Sequence, residues 1–210
     1  MSNRGHLILP LFLALVCKAS AQTSAVQIEV YDYASLKPAT LHEFVTSTQE
    51  ILVGTGLSVH VKLCGRSVAV PCETQTGSAR RLVIRVVAGT ARRMSSVRRP
   101  PLGQSFVDHE GGTYASVFLD RIQDVAAEAN VPLVIVLAYA AAHEIGHLLL
   151  GDQAHTPRGL MKGTWNRDDF RAMAQNGFHF SAEQVRELAL RYSAPGVKDV
   201  GSATASENPR

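Results

Sequence analysis

Apolar and polar residues alternate between residues 25 and 33, which is the period of a β-strand with one buried face. The apolar spacing then changes to that of an α-helix, which begins near Pro38 and ends before Gly54. Two short runs rich in β-branched and other apolar residues, 57–63 and 82–87, predict two further strands. The N-terminal half is therefore predicted to form a sheet with a backing helix.

The middle of the chain has a different composition. Residues 91–112 are rich in Arg, Ser, Pro and Gly and predict a long surface loop. Residues 113–119 have the composition of a fourth strand, and residues 120–129 predict a short helix or turn. If the fourth strand lies at the edge of the sheet, its unpaired backbone groups offer a docking place for an extended peptide.

The longest apolar segment runs from residue 131 to residue 150 and predicts a single helix that ends at Gly151. Its length suffices to span a bilayer, but two histidines and a glutamate in its last third would be costly in lipid, so a buried core helix is predicted instead. Shorter helices are predicted at 168–175 and from a cap at Ser181 to about Tyr192. These elements predict an α+β fold with an N-terminal mixed sheet, a long central helix and a small C-terminal helical lobe.

The first 21 residues carry the pattern of a secretory signal peptide. Arg4 supplies the positive start, an apolar run of ten residues follows, and small residues end the segment at Ala21. Cys17 raises lipidation as an alternative, but the large Val16 before it disfavours that interpretation. We therefore expect residues 1–21 to be removed and the protein to be secreted or periplasmic, without stable membrane insertion.

Composition and charge describe a folded domain rather than a nucleic-acid binder. Hydrophobic residues make up 46% of the 210 positions, and residues 22–193 are predicted to form one domain. Residues 194–210 are rich in Ser, Gly, Pro and Ala and predict a disordered tail. Removing the leader takes two basic and no acidic residues from totals of 21 and 18, which leaves a net charge of +1. No nucleic-acid partner is expected, despite a local cluster of Arg92, Arg93, Arg98 and Arg99.

Two cysteines remain once the leader is removed. Cys64 and Cys72 form an even pair in a chain expected to be exported, where disulfides persist. A disulfide closing this short loop is predicted.

The candidate metal-binding and catalytic residues lie near the end of the long helix. His143 and His147 lie four residues apart and project from one helical face, so they can share a cation. Imidazole nitrogen is a preferred zinc ligand, and Glu144 can act as the base that deprotonates a zinc-activated water. This H-E-x-x-H spacing is typical of zinc hydrolases.

The residues that follow resemble the metzincin group of zinc metalloproteases, which belongs to the zincin fold. That group continues the helix motif with a glycine, a third histidine and a methionine turn beneath the metal, and Gly151, His155 and Met161 occur here in that order. Gly151 comes one residue later, and His155 two residues later, than the group's pattern. The resemblance implies that His155 is the third zinc ligand and that Met161 forms the methionine turn. Gly163 stands where some members have a tyrosine that assists the oxyanion, so no oxyanion donor is identified.

Other ligands and roles remain open from the sequence. Asp152 is the nearest alternative third ligand, and a later helix offers Glu183 and Glu187 four residues apart. Trp165 is expected to be a packing residue, and residues 108–110 a solvated loop rather than a second metal site.

Together these features predict an exported zinc metalloendopeptidase that acts on peptide or protein substrates, with Zn²⁺ as its cofactor. The alternative is a secreted zinc-binding module of the same fold that binds peptides without cleaving them.

Overall fold

The computed structural model describes residues 25–65, 72, 80–89 and 101–192. Its sheet has five strands in the order β2-β1-β3-β5-β4. The strands are β1 (Ala25–Asp32), β2 (Ser58–Cys64), β3 (Arg80–Val87), β4 (Gly103–Asp108) and β5 (Gly111–Phe118). All neighbouring strands are parallel except β4, which pairs antiparallel with β5. The predicted mixed sheet is confirmed.

One face of the sheet is covered by helices, and the alternation of β1 decides which face. Val26, Ile28 and Val30 are completely buried in the core, together with the inward residues of β3. The described residues form five helices: α1 (Pro38–Val53), α2 (Leu119–Ala129), α3 (Leu133–Leu150), α4 (Arg167–Ala174) and α5 (Ala182–Tyr192). Helices α1 and α3 contact each other and the sheet, while α4 and α5 contact α3. The α+β prediction with a C-terminal helical lobe is thus confirmed.

Helix α3 is the centre of the fold. By length and composition it could cross a membrane, but 83% of it is buried inside the protein, as in the core helix of a soluble domain. It begins two residues later than predicted because Pro132 adopts an extended conformation as the N-cap. It ends at Gly151, whose positive φ of 96° favours glycine.

The prediction of a loop up to residue 112 is wrong for its second part, where β4 lies. Residues 113–119 are also not at the edge, because β5 is paired on both sides and β4 is the edge strand. The apolar and polar pattern of the sequence did not predict β4, because a half-exposed edge strand shows no clear apolar alternation. The turn between β4 and β5 contains His109 and Glu110, which are solvated as predicted.

A disulfide joins Cys64 at the end of β2 to Cys72, with the Cα atoms 5.3 Å apart. The predicted signal peptide, the predicted C-terminal tail and the arginine cluster lie outside the described residues.

Candidate metal centre

Three histidines meet at the end of α3. His143 and His147 project from the helix, and His155 reaches them from the loop that follows Gly151. One nitrogen from each ring lies within 4.8 Å of the others, and the ring centroids are 4.6–5.4 Å apart. The local helix geometry aligns the first two residues, and the loop adds the third.

Backbone carbonyls orient two of the rings. His143 Nδ1 lies 2.8 Å from the Leu160 carbonyl oxygen, and His147 Nδ1 lies 3.2 Å from that of Gly151. A carbonyl oxygen only accepts hydrogen bonds, so each Nδ1 carries the proton and donates it. In these tautomers the lone pair of each ring is on Nε2, the arrangement in which metal-binding histidines are commonly held.

The spacing and chemistry of the three nitrogens fit zinc. His147 Nε2 and His155 Nε2 are 3.1 Å apart. Two ligands of a tetrahedral zinc with Zn–N bonds of 2.0–2.1 Å would be separated by about 3.3 Å. His143, His147 and His155 are therefore suited to hold a zinc ion with one position left for water.

Burial keeps the helix histidines neutral. It lowers the pKa of His143 to about 4; its hydrogen bond to Leu160 opposes this shift, and the nearby His147 and His155 reinforce it. Burial also lowers the pKa of His147, against the hydrogen bond to Gly151. Since only neutral imidazole binds a metal, these rings are ready to do so at neutral pH.

Glu144 lies beside the histidines and is only 7% exposed. Burial raises the pKa of its carboxyl group to about 7, while a hydrogen bond from the Ser105 hydroxyl group lowers it. A carboxyl group with a pKa near the working pH is an efficient general base.

Strand β4 packs directly against this carboxyl group. A Cβ atom at Gly103 would lie 2.7 Å from Glu144 Cγ and Oε1, closer than real Cβ contacts. The sequence did not indicate Gly103 and Ser105 as residues of the site, because the composition of their segment predicted a loop. A glycine two residues before a serine is too common a pattern to have revealed them.

Met161 lies on the core side of the centre. It is completely buried, and its Sδ atom packs against Gly146, which separates Glu144 and Ile145 from His147 on α3. A side chain at Gly146 would overlap this sulfur atom and the ring of Phe180. The contact between Met161 and Gly146 therefore fixes the loop that carries Met161 against α3.

The alternative ligands lie elsewhere. Glu183 and Glu187 form ion pairs with Arg186 and Arg191 on the exposed side of α5, at 3.2 and 2.6 Å. Asp152 is exposed and is not part of the histidine group. His155 is thus the residue that the structure brings to the two helix histidines.

A cavity of about 720 Å³ opens over the three histidines and Glu144. Its walls come from β4, from α2, from the loop after α3 and from the start of α4. Its apolar lining includes Leu102, Val125, Ala129, Ala140, Trp165 and Phe170. The site is therefore a cleft within the usual size range of ligand-binding pockets.

No family model matches the sequence, and no curated protein is significantly similar to it. Among solved structures, the chain is similar to an archaemetzincin from Methanopyrus kandleri. The two share 15% sequence identity over 83% of this chain and 98% of the other, with a TM-score of 0.48. A likeness of this size does not assign the chain to a family.

Proposed function

We propose that the chain is an exported zinc-dependent metallopeptidase that hydrolyses peptide bonds by general-base catalysis. The observation that carries the proposal is the convergence of three histidine nitrogens beside the buried carboxyl group of Glu144, within one cleft. His143, His147 and His155 would hold the zinc ion. When bound there, zinc polarises a carbonyl group and lowers the pKa of a coordinated water.

Glu144 performs the proton transfers in this proposal. Its carboxylate accepts a proton from the attacking water and returns it to the amine that leaves. In the metal-free protein burial brings the carboxyl pKa to about 7, and a bound dication would lower it and favour the carboxylate that acts as base. The hydroxyl group of Ser105 donates to the carboxylate and holds it toward the cleft. Met161 supports the helix beneath the histidines, in the manner expected of a methionine turn.

The edge strand β4 is the docking place that we propose for an extended peptide substrate. Among the described residues it pairs only with β5. Phe118 donates its N–H to the Leu102 carbonyl oxygen, so in an antiparallel ladder Gly103 and Ser105 point their backbone groups toward the open side. A peptide added there would run along the cleft past Glu144.

A pair of variants at one position tests this docking mode. Ser105→Pro removes the outward N–H group and the hydroxyl group, whereas Ser105→Ala removes only the hydroxyl group. We expect the proline variant to bind a competitive peptide inhibitor about tenfold more weakly than the alanine variant, since it loses one backbone hydrogen bond. Equal inhibitor affinity of two zinc-loaded variants would refute docking on β4.

The decisive experiment offers the zinc-loaded protein a mixed peptide library. We expect cleavage that falls by about 10²–10⁴-fold in Glu144→Gln, with the zinc content unchanged. Cleavage that survives in this variant would reject Glu144 as the base. If the zinc-loaded wild type cleaves nothing in the library, the zinc-binding module without turnover becomes the better interpretation.

We propose that the protein is exported from the cytoplasm. The Cys64–Cys72 disulfide is the kind of bond that persists in oxidising compartments, and it supports the secreted or periplasmic location expected from the leader. N-terminal sequencing of the protein recovered outside the cytoplasm should start at Gln22. A cytoplasmic protein that retains Met1 would contradict export.

A further inference from the structure

The carbonyl group of Leu160 accepts two hydrogen bonds at the candidate metal centre. One comes from His143 Nδ1 at 2.8 Å, and the other comes from the indole Nε1 of Trp165 at 3.3 Å. A carbonyl oxygen has two lone pairs, so both donors can be satisfied at once. Trp165 therefore shares the atom that orients His143.

The indole ring also contacts the His143 ring directly. The two ring centroids are 5.4 Å apart and the ring planes are at 89°, an edge-to-face arrangement. On its other sides Trp165 makes edge-to-face contacts with Phe170 and Phe178 at 6.1 and 5.9 Å. The indole is thus held between the histidine and two aromatic rings of the C-terminal lobe.

Residues on both sides anchor the segment that carries Trp165. Asn166 caps α4 by accepting from the backbone N–H groups of Asp168 and Asp169, at 2.9 and 3.1 Å. The Asp169 carboxylate accepts in return from Asn166 N at 2.7 Å and from Lys162 Nζ at 2.6 Å. This half-buried ion pair and capping box limit the movement of the indole.

We propose that Trp165 is a positioning residue for His143, holding the imidazole plane so that Nε2 points at the metal. The inference rests on the proposed zinc site. The indole packs against the His143 ring, and its own N–H group donates to the same Leu160 carbonyl that orients the histidine. Trp165 is also the single tryptophan of the chain, so its emission reports events at the metal centre.

Zinc affinity, measured by competition with a chelator, tests the positioning role. We expect Trp165→Ala to weaken zinc binding by about 10–100-fold, the usual effect of losing a partner of a metal ligand. Trp165→Phe keeps an aromatic ring but lacks the N–H group, so it should recover only part of that loss. The matched control is Phe44→Leu, which removes a buried aromatic ring from α1, outside the cleft, and should keep wild-type zinc affinity.

Cobalt titration gives a second readout on the wild type. We expect Co²⁺ to quench the Trp165 emission with the midpoint that chelator competition against Co²⁺ itself gives, and His143→Ala to abolish the quenching in that concentration range. Wild-type zinc affinity in Trp165→Ala, an equal loss in Phe44→Leu, or cobalt binding without a change in emission would each overturn the proposal. If the wild type binds neither zinc nor cobalt, the proposed zinc site is refuted, and the positioning role of Trp165 is refuted with it.

Discussion

The last turns of α3 and the loop that follows them supply the same kind of side chain by different physical means. His143 and His147 are spaced by the helix itself, whose hydrogen bonds lie within one buried segment. His155 is exposed and lies on a loop with no regular structure of its own. Its position depends on contacts with residues that are distant in the sequence.

Several contacts hold that loop. Gln184 of α5, buried although polar, donates to the Ala154 carbonyl oxygen at 2.9 Å, directly before His155. Thr156 donates its N–H to Met161 at 2.9 Å, and Gly163 backs the His155 ring closely enough that a Cβ would lie 3.2 Å from Nδ1. One half of the candidate site therefore follows from local helix geometry, and the other half from the packing of the C-terminal lobe.

Removing a histidine from each region gives the largest expected effect. His143→Ala and His155→Ala should each weaken zinc binding on the order of 10³-fold or more, beyond the loss of an outer partner. In the metal-free protein they should differ. His143→Ala breaks a partly buried hydrogen bond and should cost about 0.5–1.5 kcal/mol, whereas the exposed His155→Ala should change stability by less than about 0.5 kcal/mol. Chelator competition and urea unfolding measure the two effects; full zinc affinity in His155→Ala would remove it as a ligand.

Met161 is the contact between the two regions, and its removal is the next largest change. Met161→Ala should lower the free energy of unfolding by about 2–4 kcal/mol because it leaves a cavity under α3. Gly146→Ala should also destabilise, by overlap with the Met161 sulfur. The double variant should be more stable than the sum of the two losses predicts, since the new methyl group enters the vacated space. Strict additivity in urea unfolding would contradict the contact.

The pH dependence of the metal-free protein tests the helix side alone. The folded-state pKa of Glu144 is raised to about 7, so the folded protein binds more protons than the unfolded one between about pH 4.5 and 7 and loses stability as the pH rises. The pKa values of His143 and His147 are lowered, so these two residues increase stability as the pH rises. For His143 this increase occurs between about pH 4 and pH 6.5. Glu144→Gln should therefore steepen the gain in stability with pH by up to about 1.4 kcal/mol per unit. Parallel wild-type and variant curves in urea unfolding would refute the raised carboxyl pKa.

A smaller effect is expected from the anchor of the loop. Gln184→Ala removes the donor to Ala154 and should weaken zinc binding about tenfold through His155, while Glu183→Ala on the exposed side of the same helix should leave it unchanged. Zinc affinity by chelator competition separates the two variants. If both behave as the wild type, α5 does not position the third histidine.

The predictable part of the fold is the part with strong periodicity. Strand β1 and helices α1 and α3 could be predicted from the sequence because each buries a continuous apolar face. Strand β4 was not, because it is stabilised by pairing with β5 and shows little burial of its own. Because β4 was not predicted, there was no reason from the sequence to place Gly103 and Ser105 next to Glu144.

The sequence by itself determined the identity and spacing of His143, Glu144 and His147, because an α-helix converts a four-residue interval into a shared face. It also supplied His155 and Met161 as candidates in the right order. Only the tertiary structure decided that His155, rather than Asp152, meets the helix pair. The physical reason is that a loop has no fixed geometry until other elements pack against it, and here those elements are α5 and the segment of Trp165.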